Sequence, residues 1–449
     1  MTDQRAPGIP VRRSAGTSWR RTRVKATDRP WMRPSFRALA RRRDPVVLKV
    51  TLQESLGLMP SARSRQEHLE AGMRWLAAAQ DAVDGGGVSA YFDLDAGTWA
   101  PPYPETTGYI IPTFFDYADS RTDAAPYRER AVRMADWLLG VQLEDGAFPM
   151  GPLWPWLERR PLVFDTGQIL FGLERTYRET GETRYKDAAL AAARWLARTQ
   201  ESSGTWRRHE FLEQEHAYNA RTAWGLLMVA PLDASGLVEQ AARRQLAWSL
   251  AEQTANGWFA HAGFRPEDEP LTHTLAYTIR GLLESGDRLG EPDWVAAAAR
   301  AARALLACQA RDGVLLGTYD AAWRSSASWS CLTGTAQMSL IWLRLFQMTG
   351  DRAFLDGALT ANDFVTRAQS IAAPTSMAGG VAGSYPIHGE YHPFLYVNWA
   401  AKFLVDSLLL EHHLREGEPK DEPCEHHSAD VQRRQVPRRV DPELPGPDA

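Results

Sequence analysis

Residues 137–148 read WLLGVQLEDGAF, and residues 195–206 (WLARTQESSGTW) and 248–259 (WSLAEQTANGWF) repeat this segment without a gap. The shared pattern is Trp, four residues, Gln, three residues, Gly, one residue and an aromatic residue. Weaker copies lie at 75–85 (WLAAAQDAVDG), 304–313 (ALLACQARDG) and 364–369 (FVTRAQ). Self-similarity of this kind indicates a repeat architecture in which each copy is one supersecondary unit.

The spacing of the repeated glutamine defines the size of the unit. The six glutamines are Gln80, Gln142, Gln200, Gln253, Gln309 and Gln369, separated by 62, 58, 53, 56 and 60 residues. Each interval accommodates two helices and their connections. The repeated glutamine is expected to be structural, because a side chain in the last helical turn can bond free backbone groups.

A second helical pattern lies between successive glutamines. Residues 167–182 (GQILFGLERTYRETGE), 273–291 and 336–351 show apolar residues at helical spacing, and each ends with a glycine at a C-cap position. The helix that ends at the glutamine is more polar, whereas this one is nearly continuously apolar and is expected to be buried. The sequence therefore predicts an all-α (α/α)6 toroid with six outer and six inner helices.

Composition is that of a globular protein. Of 449 residues, 44% are apolar and 24% charged, and the formal net charge is -4, which gives no general reason to expect nucleic acid. No run of about 20 apolar residues predicts a membrane span. The three cysteines indicate neither a disulfide framework nor a metal site. Metal motifs and phosphate-binding glycine loops are absent, so no cofactor is predicted.

The chain ends differ in composition from the repeat region. Residues 1–63 form a basic arm with Arg12-Arg13, Arg20-Arg21 and Arg41 to Arg43, and residues 416–449 form a charged, Pro-rich tail. Both are predicted to be largely disordered, with the toroid at 64–415. An anionic partner is possible for the arm. No apolar segment follows the basic residues as in a secretion signal, so a cytoplasmic location is expected.

The repeats carry a resemblance to known families. Residues 195–206 resemble the Gln-Trp repeat of squalene–hopene-type terpenoid cyclases. The whole repeat region resembles the six-hairpin glycosidase and polysaccharide lyase superfamily. Both resemblances imply a toroid, and the second implies activity on a carbohydrate. The acidic proton-donor and diphosphate motifs expected of a terpenoid cyclase or prenyltransferase are missing, which disfavours that reading.

Polar residues interrupt the apolar pattern where each inner helix begins, and these beginnings should meet at one mouth of the toroid. The candidates on the inner helices are Glu105, Tyr109, Asp165, Gln168, His216, Tyr218, Asn219, Arg221, His273, Tyr277, Gln337, Asn398 and Lys402. Connections at the same mouth add Trp258, Trp329, Tyr385 and His388, the last two in a Gly-rich segment at 379–394 that is long enough to act as a lid.

Some of these candidates also have structural interpretations. Asp165 is placed as an N-cap, with Gln168 completing a capping box. Glu105 follows Pro104 and can simply complement a helix N-terminus. His273 can be a cap or a buried, hydrogen-bonded histidine. The cluster of polar residues at 216–221 is harder to explain this way, because burying it without a polar ligand is costly.

The candidate set favours an acidic glycan as ligand. Aromatic faces pack on sugar rings, amides bond hydroxyl groups, and Arg221 and Lys402 could hold a carboxylate. Hydrolysis of a glycoside needs two carboxyl groups, for which Glu105 and Asp165 on adjacent inner helices are the natural pair. Elimination or C5-epimerisation of a uronate would instead use His216, Tyr218 and His273 beside Arg221. A non-catalytic glycan-binding toroid is a third reading.

Overall fold

The computed structural model describes residues 45–59, 63–371 and 376–417. Most of the predicted arm and tail therefore lies outside the described residues. The helices of the described residues are α1 (Pro45–Ser55), α2 (Arg65–Asp81), α3 (Pro104–Asp119), α4 (Ala125–Val141), α5 (Val163–Thr180), α6 (Thr183–Thr199), α7 (Ala220–Val229), α8 (Leu237–Ala251), α9 (Thr272–Leu289), α10 (Pro292–Cys308), α11 (Leu332–Thr349), α12 (Arg352–Ala368) and α13 (Asn398–Gly417).

Twelve of these helices form two concentric rings. The inner ring runs α3, α5, α7, α9, α11 and α13, with each helix in contact with the next and α13 returning to α3. The outer helices are α2, α4, α6, α8, α10 and α12, and each packs on an inner helix. The predicted (α/α)6 toroid is confirmed. No helix in the described ranges is both long and apolar enough to cross a membrane.

Apolar burial explains the two rings. Helix α5 buries almost every residue from Val163 to Leu173, and α11 is buried without interruption from Leu332 to Leu343. Outer helix α10 instead buries mainly a stripe of alanines, as expected for a helix with one face on the core. Inner helix α5 ends at Gly181, where φ is 71°, so the predicted glycine C-cap is confirmed there.

The repeated glutamines connect each turn to the next outer helix. The Nε2 atom of Gln142 donates to the carbonyls of Gly146, in its own turn, and Ala188, in α6, at 2.9 and 3.0 Å. Gln200 and Gln253 make the equivalent pairs. Gln80 does the same toward α4, whereas Gln309 bonds Gly357 of α12. The predicted structural role of the glutamine is confirmed.

The sixth glutamine closes the ring. Gln369 follows α12, and its Nε2 donates to the carbonyls of Gly379 and of His68 in α2, the first outer helix. Its Oε1 lies 2.7 Å from Nδ1 of the same histidine. Both side chains are buried. One side chain therefore joins the last repeat to the first.

Short strands occur in the described connections, although the helical pattern did not indicate them. They are β1 (Tyr91–Asp93), β2 (Thr98–Trp99), β3 (Ser330–Cys331), β4 (Ser384–Tyr385) and β5 (Leu395–Val397). Strand β1 pairs with both β2 and β5, and β3 pairs with β4, all antiparallel. The β1–β5 pair joins the first and last inner-helix connections and reinforces the closure of the ring.

Helix α1 lies within the segment predicted as a largely disordered arm, and the sequence analysis did not anticipate it. Val47 is buried in the hydrophobic core. The carboxylate of Glu54 accepts a hydrogen bond from the amide of Ile387 at 2.6 Å. Burial raises the pKa of Glu54 to about 8, against the effect of this amide. The described part of the arm thus packs on the connection before α13.

We expect Gln369→Ala to lower the free energy of unfolding by about 2–4 kcal/mol, because it removes the side-chain donor to the carbonyls of Gly379 and His68 and the partner of the buried Nδ1 of His68. Urea denaturation followed by circular dichroism measures the change. Gln66→Ala is the matched control, because Gln66 bonds only Glu70 on the surface and should cost less than about 0.5 kcal/mol. Equal effects of the two substitutions would contradict the role of Gln369 in closing the ring.

Candidate active site

Three carboxyl groups meet at the mouth where the inner helices begin. Glu105 lies in the first turn of α3, Asp165 in the first turn of α5, and Glu210 in the connection before α7. Their side chains belong to residues that are 7%, 1% and 4% exposed. Asp165 interacts electrostatically with both of the others. Burial makes each of these groups costly to ionise, and the charges of Glu105 and Glu210 add to that cost at Asp165.

Tyr103 lies beside the two carboxyl groups on the adjacent inner helices. Burial, followed by the negative charges of Asp165 and Glu105, raises its pKa well above the ordinary value. The phenol therefore stays protonated and can donate one hydrogen bond to a carboxyl group. Tyr103 was not a predicted site residue, because it immediately precedes α3 rather than lying on it.

The surroundings of the two carboxyl groups separate their proton affinities. Burial raises the pKa of Glu105 to about 7, opposed by the hydrogen bond from Tyr103 and the positive charge of Arg221. Burial also raises the pKa of Asp165 far above its ordinary value, and the charges of Glu105 and Glu210 raise it further. The amide of Gly151, 2.9 Å from Oδ2, opposes this rise. Asp165 therefore holds its proton more tightly, and Glu105 is the more readily ionised of the two.

The capping interpretation of Asp165 is wrong. Helix α5 begins after Leu162, whose side chain makes no capping bond, and Asp165 lies inside the first turn. Its carboxylate receives the Gly151 amide from the preceding loop instead of a helix amide. Gln168 accepts from Nε of Arg221 at 2.7 Å, so no capping box forms. The polar residues of α5 therefore face the centre of the toroid.

Glu210 is the site residue that sequence reasoning missed. Its carboxylate accepts from the amide of Phe211 and from Nδ2 of Asn219, at 3.1 and 3.0 Å. Burial raises its pKa to about 7, and both hydrogen bonds oppose that rise. His209, Leu212 and Glu213 beside it all have positive φ, which is uncommon for non-glycine residues. A buried acid in an irregular connection has no periodic pattern that would reveal it.

His216 is placed to hold this strained segment rather than to exchange protons with a ligand. Its Nε2 lies 3.0 Å from the carbonyl of Phe211 and its Nδ1 lies 3.1 Å from the carbonyl of Gly263. Its ring stacks on Tyr218 at 4.4 Å. Burial lowers its pKa to about 4, although the two carbonyls favour the charged form. We therefore assign His216 a positioning role and keep Tyr218, which interacts with all three acids, at the site.

Arg221 is a buried cation beneath the acids. Its residue is 2% exposed, and its guanidinium carbon lies 5.0–5.8 Å from five aromatic rings, those of Tyr109, Phe171, Trp224, Tyr277 and Phe403. Nη1 has no hydrogen-bond partner among the described residues. Burial, followed by the charge of Arg280, lowers its pKa to about 10, so it remains charged at neutral pH. Its field favours the ionised form of Glu105.

Two phenol groups form the floor between Arg221 and the acids. Burial, followed by the neighbouring phenol of Tyr277, raises the pKa of Tyr109 well above its ordinary value. Tyr277 also interacts electrostatically with Glu105 and Asp165, and its ring lies 5.2 Å from that of Phe164. The phenols thus present polar hydroxyl groups beside the carboxyl groups and aromatic faces around the cation.

His273 lies on the opposite part of the same mouth. It is 7% exposed, and its ring lies 4.3 Å from that of Tyr277. The side-chain amide of Gln337 is 2.5 Å from Nδ1, which leaves the ring proton on Nε2 in the neutral form. Burial and the neighbouring His392 lower the pKa of His273 well below its ordinary value. Both histidines are therefore neutral at physiological pH, since burial lowers the pKa of His392 to about 4.

Aromatic residues of the last connection complete the mouth. Tyr391 accepts a hydrogen bond from Nε1 of Trp399 at 3.0 Å. Rings of His392 and Trp399 are 5.0 Å apart, and Trp399 meets Tyr103 edge-on at 6.4 Å. Strand pairing of β4 with β3, and two bonds of Ser384 to the backbone of Tyr391, pin this segment. It forms a packed wall and does not have the open conformation of a lid.

The remaining predicted residues lie deeper or in the walls. Lys402 pairs with Asp406, which also accepts from Thr113, and burial lowers the lysine's pKa to about 8. Asn398 donates to Ser89 and Thr106 and ties α13 to the first connection. These contacts account for Lys402 and for the side-chain Nδ2 of Asn398, whereas the buried Oδ1 of Asn398 has no hydrogen-bond partner among the described residues.

Four predicted aromatic and histidine residues support the connections. Trp329 packs behind Tyr391, and Tyr385 packs edge-on against Phe364 of α12 at 5.6 Å. Trp258 donates to the carbonyl of Tyr319. His388 is half-buried in the connection that precedes α13. None of these observations brings the four side chains to the carboxyl groups, so we assign them no contact with a substrate.

Among the described residues, no group of three or more His, Cys, Asp or Glu side chains has an arrangement that could hold a metal ion. The acids therefore have each other, Tyr103 and the amides as their partners. The chemistry that this arrangement supports directly is proton transfer between carboxyl groups of different proton affinity.

Comparison with solved structures gives the fold family. Similar structures include an unsaturated glucuronyl hydrolase specific for heparin (TM-score 0.62, 14% identity, 78% of this chain and 98% of that chain). Others are a UGL variant with the sugar dGlcA-Glc-Rha-Glc (0.61, 17%, 79% and 97%) and the cellobiose 2-epimerase of Bacillus thermoamylovorans (0.59, 12%, 77% and 97%). The predicted resemblance to six-hairpin toroids is confirmed. No family model and no curated protein matches the sequence.

We expect Glu210→Gln to change how the free energy of unfolding depends on pH. The folded pKa of Glu210, about 7, exceeds the unfolded value near 4.3, so wild-type stability falls as pH rises between these values. The amide has no such dependence. The stability of the variant relative to wild type should therefore grow by about 2 kcal/mol from pH 5 to pH 8.

Urea denaturation at several pH values measures this difference. Glu213→Gln, in the same connection but exposed, serves as the control and should show no such trend. A constant difference between Glu210→Gln and wild type across the pH range would show that Glu210 does not hold a proton at neutral pH.

Proposed function

We propose that this protein hydrolyses a glycosidic bond in an acidic glycan. The observation that carries the proposal is the burial of Glu105 and Asp165 in the first turns of adjacent inner helices, where their charges interact and the pKa of Asp165 is raised further than that of Glu105. Glycoside hydrolysis requires one protonated and one ionised carboxyl group. The buried positive charge of Arg221 lowers the pKa of Glu105, so the two carboxyl groups differ in proton affinity.

The proposed reaction uses Asp165 as the general acid. Its proton passes to the glycosidic oxygen as the bond between that oxygen and the anomeric carbon breaks. Glu105 supplies the ionised carboxylate, which either deprotonates the attacking water or attacks the anomeric carbon before water does. Overall, one water molecule is consumed and one glycosidic bond is broken. When Glu105 takes the proton from water, that proton returns to Asp165 before the next turnover, and the neighbouring Tyr103 hydroxyl can relay it; when Glu105 attacks the anomeric carbon, Asp165 regains its proton from the water that releases the sugar.

Aromatic and cationic residues support an acidic sugar as the substrate. Tyr218, Tyr277, Tyr391 and Trp399 surround the acids with ring faces and hydroxyl groups, which suit a pyranose. Arg221 supplies positive charge beneath them. Two of the similar structures are named for, or contain, a terminal unsaturated glucuronyl unit, so this unit is the first substrate to test. Because the acids are almost fully buried, substrate entry requires local opening of the mouth.

Two further statements belong to the proposal. The location is the cytoplasm, supported by the three cysteines, which show no paired spacing of a disulfide framework and so fit a reducing compartment. The basic arm binds an anionic partner, supported by its arginine clusters.

Hydrolysis in water enriched in oxygen-18 tests the proposal, with the disaccharide dGlcA-Glc and an activated dinitrophenyl glycoside as substrates. We expect one solvent oxygen in the product. Glu105→Gln should lower kcat about 10³-fold on both substrates. Asp165→Asn should lower kcat similarly on the disaccharide but much less on the dinitrophenyl glycoside, whose leaving group needs no proton. Glu213→Gln is the exposed control.

Hydrolysis that survives both Glu105→Gln and Asp165→Asn would contradict these roles. Binding of the glycan without turnover by wild-type protein would instead favour the glycan-binding toroid.

Epimerisation is the second candidate, because His273 and His392 provide two neutral bases at the same mouth. One histidine would remove a proton from a sugar carbon next to a carbonyl-type group and the other would return a proton on the opposite face. In deuterium oxide this reaction places deuterium on carbon without cleavage, so mass spectrometry of the same incubations distinguishes it from hydrolysis. If epimerisation is the reaction, His273→Asn should abolish the deuterium exchange. If hydrolysis is the reaction, His273→Asn should not abolish cleavage.

A further inference from the structure

The connection between α4 and α5 carries an unusual exposed aromatic pair. Trp156 is 72% exposed, which is the largest exposure among the large hydrophobic residues described. Its ring centroid lies 4.8 Å from that of Trp154, with 31° between the ring planes. Leu157 beside it is also exposed, at 37%. Tryptophan is rarely left in water without a partner to cover it, so this pair requires an explanation.

The loop that carries the pair is attached to the candidate active site at two points. The amide of Gly151 binds the carboxyl group of Asp165 at 2.9 Å, and the amide of Leu153 donates to the carbonyl of Pro102 at 2.9 Å. Pro102 directly precedes Tyr103, whose phenol lies beside Glu105 and Asp165. Trp154 follows Leu153, and two adjacent residues span at most about 3.8 Å between Cα atoms. The pair therefore lies within the reach of a short oligosaccharide from Asp165.

Internal contacts give the loop a defined shape. The amide of Met150 donates to the carbonyl of Arg160, and the amide of Leu157 donates to the carbonyl of Trp154. These bonds hold the base and the tip of the loop. Aromatic platforms bind sugars most effectively when they are held in place before binding, because less conformational entropy is then lost.

Charge on the loop matches the proposed substrate. Glu158 and Arg160 form an ion pair at 2.7 Å. Arg159, between them, is exposed and has no ion pair among the described residues. A free guanidinium next to aromatic faces suits a ring that carries a carboxylate or a sulfate group. The surface thus combines stacking with attraction for an anionic sugar.

We propose that Trp154, Trp156 and Arg159 form an outer sugar-binding subsite for the acidic glycan, on the leaving-group side of the cleaved bond. This proposal rests on the hydrolase function proposed above. Asp165 gives its proton to the glycosidic oxygen, so the sugar units that leave with this oxygen lie on the Asp165 side of the cleaved bond. The amide of Gly151 binds Asp165, so these units extend along the loop that begins at Gly151. The indole of Trp156 stacks on one of these sugar rings, and Arg159 pairs with a carboxylate or sulfate group in substrates whose leaving units carry one; in dGlcA-Glc-Rha-Glc those units are neutral, so Trp156 alone is tested.

The test compares binding of a long and a short ligand to protein that cannot turn them over. Isothermal titration calorimetry is carried out with Glu105→Gln and the tetrasaccharide dGlcA-Glc-Rha-Glc or its disaccharide dGlcA-Glc. We expect adding Trp156→Ala to raise the Kd of the tetrasaccharide about 10-fold, as loss of one aromatic stacking contact should. The Kd of the disaccharide should change less than about twofold. Leu237→Ala, a remote exposed residue (55%), should change neither.

The outcomes separate this proposal from the proposed function. Equal changes for both ligands, or no change for either, would overturn the subsite even if the wild-type protein is a hydrolase. Length-dependent binding that requires Trp156, in a protein that cleaves nothing, would support the subsite and overturn the hydrolase function. Failure of both sugars to bind would overturn both proposals. Trp156→Phe should restore most of the tetrasaccharide affinity, because its ring can still stack.

Discussion

The hydrogen bonds of Gln369 to His68 and Gly379 close the ring, and the position of every site residue depends on that closure. The same side chain type makes the equivalent link at the end of each earlier outer helix. Because these links join each turn to the next outer helix, the rotation from one hairpin to the next is repeated until the sixth meets the first. The inner helices then all begin at the same mouth, and acids from distant parts of the sequence become neighbours.

Electrostatics at that mouth follow from the same geometry. Each inner helix buries its first turn, so Glu105 and Asp165 lose water at the place where ring closure brings them together. Glu210 adds a third acid from a connection held by His216. The positive charge of buried Arg221 lowers the pKa of Glu105, so the two carboxyl groups differ in proton affinity. Such a separation of proton affinities by environment is a common feature of acid–base sites.

Periodicity made the fold predictable from the sequence, but not the full site. The glutamine spacing and the apolar inner helices gave the toroid, and the polar starts of those helices gave Glu105 and Asp165. Glu210 and Tyr103 were missed because they lie in connections, where no period applies. His216 was taken as a catalytic candidate, since sequence alone does not show that both of its nitrogens face backbone carbonyls. Lys402 was expected to face a ligand, yet its partner Asp406 is one helical turn further on.

The central claim is that the carboxyl group of Asp165 stays protonated at neutral pH and holds its proton more tightly than Glu105. Infrared difference spectroscopy detects the carbonyl stretch of a protonated, buried carboxylic acid and distinguishes it from a carboxylate. The account predicts that Asp165→Asn removes one component of this band at pH 7 and leaves the components of Glu54 and Glu210, whereas Glu213→Gln leaves the whole band unchanged. Absence of a protonated carboxyl band at pH 7, or a band that Asp165→Asn leaves unchanged, would contradict the account.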